Sequence, residues 1–287
     1  MSVDLHIHST ASDGSQTPEE IIETAVSKGL TAVSIADHDT VGGQAAAIAA
    51  AAGRITYLPA VEISTHIGHS EIHIIGYLID LTNEPLLQML EHIRQQRVQR
   101  IHTTVARLQA AGLQVTFDDV MATWHGERTE GKPEEAALGR PHVANTLVRL
   151  GIVQNPVAAF DLYLRRGRPA YVDRYRLEPV EAIRMIRTSG GLPVLSHPAL
   201  AKEDGVIPQL VLQGIGGLEA YHTAHTPADT KRYLRMAQKL NVLVTGGTDS
   251  HGPTGSYPIE VGALDIPDEC AQGILRWKAR QSCHRGS

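Results

Sequence analysis

Val3, Leu5 and Ile7 alternate with Asp4, His6 and His8 at the head of the chain, the two-residue period of a strand with one buried face. Short apolar runs recur at 32–36, 57–61, 71–76, 192–196, 217–222 and 241–246. Between the early runs lie helical patterns. Thr17-Pro18-Glu19-Glu20 has the form of a capping box with proline at the first helical position, and it opens a helix over 18–28 that Gly29 closes. An alanine-rich helix is predicted over about 41–52. Thr226-Pro227-Ala228-Asp229 begins another helix before the run at 241–246. Strand, helix, strand, helix is the rhythm of βαβ units and predicts an α/β fold with a parallel sheet.

The rhythm breaks between residues 84 and 168. Leu86, Leu87, Leu90, Ile93, Val98, Ile101, Val105 and Leu108 follow a long helical period closed by Gly112, and shorter helical pieces follow at 118–124, 141–150 and 156–165. The polar stretch 125–135 reads as a mobile loop. The expectation is a barrel built from 1–83 and 169–287, with 84–168 as a helical insertion over its mouth. That insertion carries Arg140, His142, Arg165, Arg166 and Arg168.

The chemistry sits where the apolar runs stop. His6 and His8, two apart on a strand, share a face, and Asp13 follows after a short polar loop. The later runs end in Asp37-His38-Asp39, Glu62, His197-Pro198, His222 and Asp249-Ser250-His251, and His73 is embedded in the run 71–76. Alpha/beta barrels build active sites at the C-terminal ends of their strands. Chance would place Ser, Asn, Gly and Lys there as often, but metal-ligand types dominate. Asp37 and Asp39 read as partners that orient an imidazole, and Glu219 as a strand-end salt-bridge partner. His66, His69, His92, His102, His125 and His284 have no motif around them.

His6-X-His8, Asp13-Gly14, Asp37-His38, Glu62, His73, Ser196-His197-Pro198 and Asp249-X-His251 together resemble the signature of the PHP (polymerase and histidinol phosphatase) superfamily. The likeness runs in order from residue 4 to residue 251. Leu138-Gly-Arg140-Pro-His142, Pro169-Ala-Tyr171-Val and Glu219-Ala-Tyr221-His222 resemble its free-standing nucleotide phosphoesterase branch, which includes nucleoside 3′,5′-bisphosphate phosphatases and enzymes that trim RNA from its 5′ end. The resemblance implies a distorted (β/α)7 barrel and a centre of two or three metal ions. His6, His8, Glu62 and Asp249 would hold the first ion. Glu62 would bridge to a second held by His73 and His197, and Asp13, His38 and His251 would hold a third. Mixed imidazole and carboxylate ligands suit Mn²⁺ first, with Zn²⁺ or Fe²⁺ close behind. The implied activity is release of the 3′-phosphate from nucleoside 3′,5′-bisphosphates. His222 is the first candidate for the proton donor and His225 the second, with Asp249 essential as a ligand. Arg140 would grip the second phosphate, supported by His142 and Arg168. A 5′-to-3′ exoribonuclease, a histidinol-phosphate phosphatase and a non-catalytic metal-binding regulatory module are the competing readings.

Composition refines this picture. The net charge is −5, which argues against adhesion to a DNA duplex by bulk electrostatics. Residues 92–168 hold eleven basic and seven acidic side chains, a net +4, and the remainder holds fifteen and twenty-four, a net −9. A basic segment beside an acidic, metal-dependent site suits a small anionic nucleotide or a short RNA. Cys270 and Cys283 lack ligand spacing and read as free thiols of a reducing compartment. No apolar stretch reaches membrane-spanning length, no signal peptide fits the N-terminus, and no protein partner is implied. Cytoplasmic location is the expectation.

Overall fold

The structure, a computed structural model, describes residues 2–68, 70–126, 138–173, 175–255 and 257–284. The chain divides into two compact units, one formed by Met1–Gln88 with Arg176–Ser287 and the other by Met89–Tyr175.

In the larger unit, β1 (Val3–Ile7), β2 (Ala32–Ile35) and the two-residue β3 (Thr56–Tyr57) form a parallel three-stranded sheet. A five-stranded sheet follows in the order β4 (Ala60–Ile67), β5 (Ser70–Tyr77), β6 (Leu192–Leu195), β7 (Gly217–His222) and β8 (Leu243–Gly247). Main-chain bonds link the two sheets at both ends. The Glu62 amide donates to the Asp37 carbonyl (3.1 Å) and the Asp39 amide to that of Glu62 (2.8 Å), so β4 continues from β2. The His8 amide donates to Ser250 O and the Asp249 amide to His6 O, both at 2.8 Å, joining β1 to the segment that leaves β8. The ends of these strands are therefore fixed against one another, and the polar residues beyond them share one neighbourhood.

The parallel sheet expected from the sequence is found in most strand pairs, with one strand reversed. β5 runs antiparallel to both β4 and β6, while β6, β7 and β8 pair in parallel. Only residues 68 and 69 separate β4 from β5, and Gly68 has φ +59°; so short a link can join only antiparallel neighbours. The single run expected over 57–61 is divided by Leu58-Pro59 into β3 and β4. The strand expected from 241 begins at Leu243, because Asn241 is the left-handed C-cap of the preceding helix (φ +52°).

Helices α1 (Pro18–Ser27) and α2 (Gln44–Ala51) flank the first sheet. Thr17 caps α1 as the sequence implies: its hydroxyl accepts from the Glu20 amide (3.2 Å), and its own amide donates to the Glu20 carboxylate (2.8 Å). Ile21, Ile22 and Ala25 of α1 are buried against Ile7, Val33 and Ile35, and full burial of a side chain of this size contributes about 1.5–3 kcal/mol. The long α3 (Glu84–Ala110) begins in the larger unit and continues into the smaller one. There α4 (Phe117–Gly126), α5 (Arg140–Arg149) and α6 (Pro156–Ala159), with a π-helical turn Phe160–Leu164, share a core of Ile101, Val105, Leu108, Val120, Trp124, Val143, Leu147 and Leu164. Most of the loop expected at 125–135 lies outside the described residues. The larger unit is completed by α7 (Pro179–Thr188), α8 (Pro198–Ala201), α9 (Ile207–Gln213), α10 (Pro227–Leu240) and α11 (Glu269–His284). Cys270 of α11 is a buried free thiol, pushed up to about 12 chiefly by burial. No helix among the described residues is long and apolar enough to cross a membrane.

One close approach decides whether β1 and β8 can meet. A Cβ on Gly247 would lie 2.1 Å from the Cβ of His6 and 2.5 Å from its amide nitrogen. Gly247→Ala is therefore expected to destabilise the fold by at least about 1–3 kcal/mol, the range for overpacking a tight contact. Gly205→Ala, which meets nothing within 4 Å, should stay within about 0.5 kcal/mol of the parent. Denaturant unfolding of the two variants measures the difference, and equal stabilities would show that the contact is not limiting.

Candidate metal centre

His6 and His8 project from the end of β1 with their Nε2 atoms 3.1 Å apart, and both rings are buried. Glu62, the third residue of β4, brings a fully buried carboxylate between them: Oε1 lies 3.4 Å from His6 Nε2 and Oε2 3.4 Å from His8 Nε2. Asp249, two residues past β8, completes this group, with Oδ1 3.0 Å from His8 Nε2 and 3.5 Å from His6 Nε2. Metal–nitrogen bonds of about 2.1 Å subtend ligand-to-ligand edges of roughly 3.0–3.4 Å, so this spacing is that of a coordination shell.

Glu62 also faces three further imidazoles. His73 Nδ1 and His197 Nε2 each lie 3.2 Å from Oε1, and His38 Nδ1 lies 3.0 Å from Oε2. Asp13 stands at the more open side, 3.4 Å from His251 Nε2 and 3.9 Å from His8 Nδ1. The rings of His8 and His251 stack with centroids 4.3 Å apart. The structure thus gathers all nine residues singled out as ligands. Among the described residues seven of them form overlapping sets whose ligand atoms lie within 4.8 Å: His6, His8 and Glu62; His38, Glu62 and His73; and His8, Asp13, His38 and His251. His197 belongs to none of these sets and joins the cluster through its contact with Glu62. His38 belongs to two of these sets, and His8 joins Asp13 and His251 as well as His6. A fourth set, His6, His222 and Asp249, includes the residue expected to donate a proton.

The polar atoms of the cluster fit bound cations. His8 Nδ1 and His222 Nε2 are buried without a hydrogen bond, and His38 Nδ1 and Glu62 Oε2, also without one, face each other at 3.0 Å, a costly arrangement that a shared cation would relieve. Burial pushes the Glu62 carboxyl up, but His73, His6 and His38 outweigh it and hold it well below the usual carboxylate range. Asp249 is likewise depressed against burial, first by His6 and then by the nearby His222 and His8. Burial, with His38 and His251 nearby, lowers His8 to about 4. Ionised carboxylates are the form that binds metal, but facing carboxylates raise His6, His38, His73 (to about 10) and His251 (to about 9) against burial, so a cation bound to those rings would displace a proton.

Hydrogen bonds to the other ring nitrogen sort the imidazoles by role. His6 presents Nδ1 to the Glu219 carboxylate (3.0 Å) and His251 presents Nδ1 to the Asp249 carbonyl (2.8 Å), so each directs an Nε2 lone pair inward. His222 is the opposite case. Its Nδ1 accepts the Ala224 amide proton (3.1 Å), so the neutral ring carries its own proton on Nε2, 3.5 Å from Asp249 Oδ2. His222 is therefore built as a donor at the edge of the cluster, whereas its geometry in isolation would admit a ligand. His225 holds Nδ1 3.0 Å from the Ala220 carbonyl, which leaves a lone pair on Nε2.

Buried aspartates hold the loops that carry the ligands. Asp37, expected to orient an imidazole, instead accepts from the Ser9 amide (2.7 Å), the Ser9 hydroxyl (2.7 Å) and the Ser12 hydroxyl (2.6 Å), and so shapes the loop that ends in Asp13. Asp39 accepts from the Ser64 amide (3.0 Å) on β4. Asp4 accepts from the Thr248 amide and hydroxyl and from the Gly262 amide at 2.7–2.9 Å, which ties β1 to the residue before Asp249. Sequence reasoning missed Asp4. The available signal was an acid embedded in an alternating apolar strand.

The residues expected to bind substrate lie in the smaller unit. The Arg140 guanidinium sits 5.7 Å from the Phe160 ring centroid and 5.6 Å from that of Tyr171, and its Nη1 donates to the Leu164 carbonyl (3.1 Å). His142 Nδ1 accepts the Gly139 amide proton (3.0 Å), which leaves Nε2–H as a donor in the neutral ring. Arg168 is exposed on the turn after Leu164.

A PHP domain family model matches residues 4–178. The chain is 34% identical over 276 residues to a 3′,5′-nucleoside bisphosphate phosphatase of Chromobacterium violaceum, covering 94% of each chain. It is 32% identical over 272 residues to a 5′-3′ exoribonuclease of Haemophilus influenzae, covering 92% of this chain and 95% of the relative. The crystal structure of a protein assigned as a metal-dependent phosphoesterase from Bifidobacterium adolescentis superposes with a TM-score of 0.80 at 30% identity, covering 96% of this chain and 95% of the other.

Cations that bind only the folded state stabilise it by mass action. Mn²⁺ at one hundred times its dissociation constant should add about 2.7 kcal/mol for each independent site. Chelator-treated protein should accordingly melt at lower temperature than protein returned to Mn²⁺, and a calorimetric scan checks it. Identical melting with and without metal would mean that the cluster is held by its hydrogen bonds alone.

Proposed function

Since the chain belongs to the PHP domain family and is a metal-dependent phosphoesterase, we propose that it hydrolyses the 3′-phosphate of nucleoside 3′,5′-bisphosphates, giving the nucleoside 5′-monophosphate and phosphate. The observation that supports the hydrolytic part is the convergence of nine candidate ligand side chains beside His222, whose Nδ1 accepts a backbone N–H. The choice of substrate is supported by the likeness to the Chromobacterium violaceum enzyme over nearly the whole of both chains. We read the linked circuit of β1, β2 and β4–β8 as a distorted seven-stranded barrel, with 84–168 as the substrate-binding cap.

In this reading His6, His8, Glu62 and Asp249 hold one ion, Glu62 with His73 and His197 a second, and Asp13, His38 and His251 a third, Mn²⁺ being the first choice. Divalent ions held by these residues would supply hydroxide from water near neutral pH and would screen the phosphoryl oxygens. The chain's own residues do the rest. As the bond between phosphorus and the ribose 3′-oxygen breaks, that oxygen needs a proton, and His222 Nε2–H is its source. His225 is less suited, because its Nε2 presents a lone pair and must first gain a proton. Arg140, over the faces of Phe160 and Tyr171, anchors the 5′-phosphate that does not react, with the His142 Nε2–H and Arg168 as further donors.

A second reading, 5′-to-3′ exoribonuclease action on short 5′-phosphorylated RNA, is favoured by the likeness to the Haemophilus influenzae enzyme and uses the same anchor and the same metals. A histidinol-phosphate phosphatase would not need Arg140, and a non-catalytic module would not need the complete ligand set.

Arg140→Ala separates anchoring from chemistry. Loss of a charged hydrogen-bonded contact costs about 1.5–3 kcal/mol, so kcat/KM for nucleoside 3′,5′-bisphosphates should fall roughly tenfold to a hundredfold. Hydrolysis of an aryl phosphate with no second anion should hardly change. Asp249→Ala should abolish both activities. Equal losses on the two substrates in the Arg140 variant would move the histidinol-phosphate reading ahead, and faster turnover of 5′-phosphorylated oligoribonucleotides than of mononucleotides would favour the exoribonuclease.

A further inference from the structure

Glu219 lies in the middle of β7 with Leu218 before it and Ala220 after it, and it is fully buried. Its contacts reach two different ligand residues. Oε1 lies 3.0 Å and Oε2 3.3 Å from His6 Nδ1, while Oε2 accepts the main-chain N–H of His197 at 2.7 Å and the Ser196 hydroxyl at 3.2 Å. His197 has φ +24° and ψ +59°, a left-handed conformation unfavourable for a residue with a Cβ and sustained only where the surroundings over-determine it. That backbone turns the ring so that Nε2 comes within 3.2 Å of Glu62.

We infer that Glu219 is a positioning residue that presents two metal ligands at once, the ring of His6 through Nδ1 and the ring of His197 through its backbone. The inference rests on the metal-centre reading. The Nδ1 contact keeps the His6 proton away from the cluster and aims Nε2 at His8, Glu62 and Asp249. The contact at the His197 amide holds the strained turn from β6 into α8. A neutral amide does both less well, because with its oxygen on the His197 amide it turns its NH2 toward His6 Nδ1. Three donors converge on the two oxygens of Glu219, and Glu219→Gln would replace one acceptor with a fourth donor facing them. Partners of this kind typically change metal affinity 10–100-fold.

The test is equilibrium dialysis against Mn²⁺ followed by metal analysis, on the full chain and its variants. Glu219→Gln should raise the free Mn²⁺ needed for half-occupancy 10–100-fold, while excess Mn²⁺ restores most of kcat, which a merely structural lesion would not allow. His6→Gln alone should lose part of the bound Mn²⁺, and adding Glu219→Gln should lose more, because the His197 ligand is then also released. Unchanged Mn²⁺ binding by Glu219→Gln, or a double variant that binds as His6→Gln does, overturns the inference and leaves the metal centre standing. Wild-type protein that takes up no Mn²⁺ overturns both. Should Glu219→Gln fail to fold, ¹⁵N spectra of Zn²⁺-loaded wild-type protein decide instead: a proton on His6 Nδ1 supports the assignment, and one on Nε2 overturns it.

Discussion

A carboxylate with no exposure to water, Glu62, sits at the centre of this molecule, and the rest of the site is arranged to make that burial tolerable. An isolated buried charge is too costly to keep ionised, so it needs opposite charge and donors on every side. Glu62 meets this demand with rings from four separate segments: His6 and His8 at the end of β1, His38 after β2, His73 on β5 and His197 after β6. Each segment has to reach the same few cubic ångströms. The fold supplies this by bonding the exit of β2 to β4, and the exit of β1 to the segment after β8. Cations in the same space relieve the same tension, which is why metal binding and the stability of the larger unit are expected to be coupled.

Around that centre stands a layer of buried acids outside the nine candidate ligands. Asp4, Asp37 and Glu219 each accept from two or three donors belonging to another segment. Their work is to convert strand-level placement, accurate to a few ångström, into the finer placement that ligation needs. The conformations they support are not cheap. His197 at φ +24°, Asp249 at φ +56° and Asp39 at φ +53° all occupy the left-handed region, and all lie at or beside a cluster residue. Strain concentrated where a backbone must turn a ligand inward is the signature of a site built for its side chains.

The imidazoles show how one residue type is divided between tasks. Ligand and donor histidines cannot be told apart by burial or by distance, since His6 and His222 both stand within 3.5 Å of Asp249. The partner of the far nitrogen tells them apart. A carbonyl or carboxylate there turns a lone pair toward the cluster, as at His6 and His251, and a backbone N–H there leaves the near nitrogen protonated, as at His222. The same device recurs in the smaller unit, where the Gly139 amide fixes His142 as a donor at the first turn of α5.

Much of this was legible in the chain itself. Alternation at Val3–Ile7 put His6 and His8 on one face, and acids and imidazoles after the apolar runs marked the strand ends. Thr17-Pro18-Glu19-Glu20 and Thr226-Pro227-Ala228-Asp229 fixed where α1 and α10 begin. These features depend on neighbours within a few positions, so the local order of residues suffices to determine them. The reversed direction of β5, the use of Asp37 to bind Ser9 and Ser12, the second hold of Glu219 on His197 and the proton on His222 Nε2 were not legible in that way. Those between distant segments pair residues 22 to 213 positions apart, as Glu219 with His197 and with His6. Others turn on a single backbone N–H, like that of Ala224, whose direction follows from how the chain leaves β7. Residue types determined which side chains could serve as ligands, and tertiary structure decided which atom of each one faces the others.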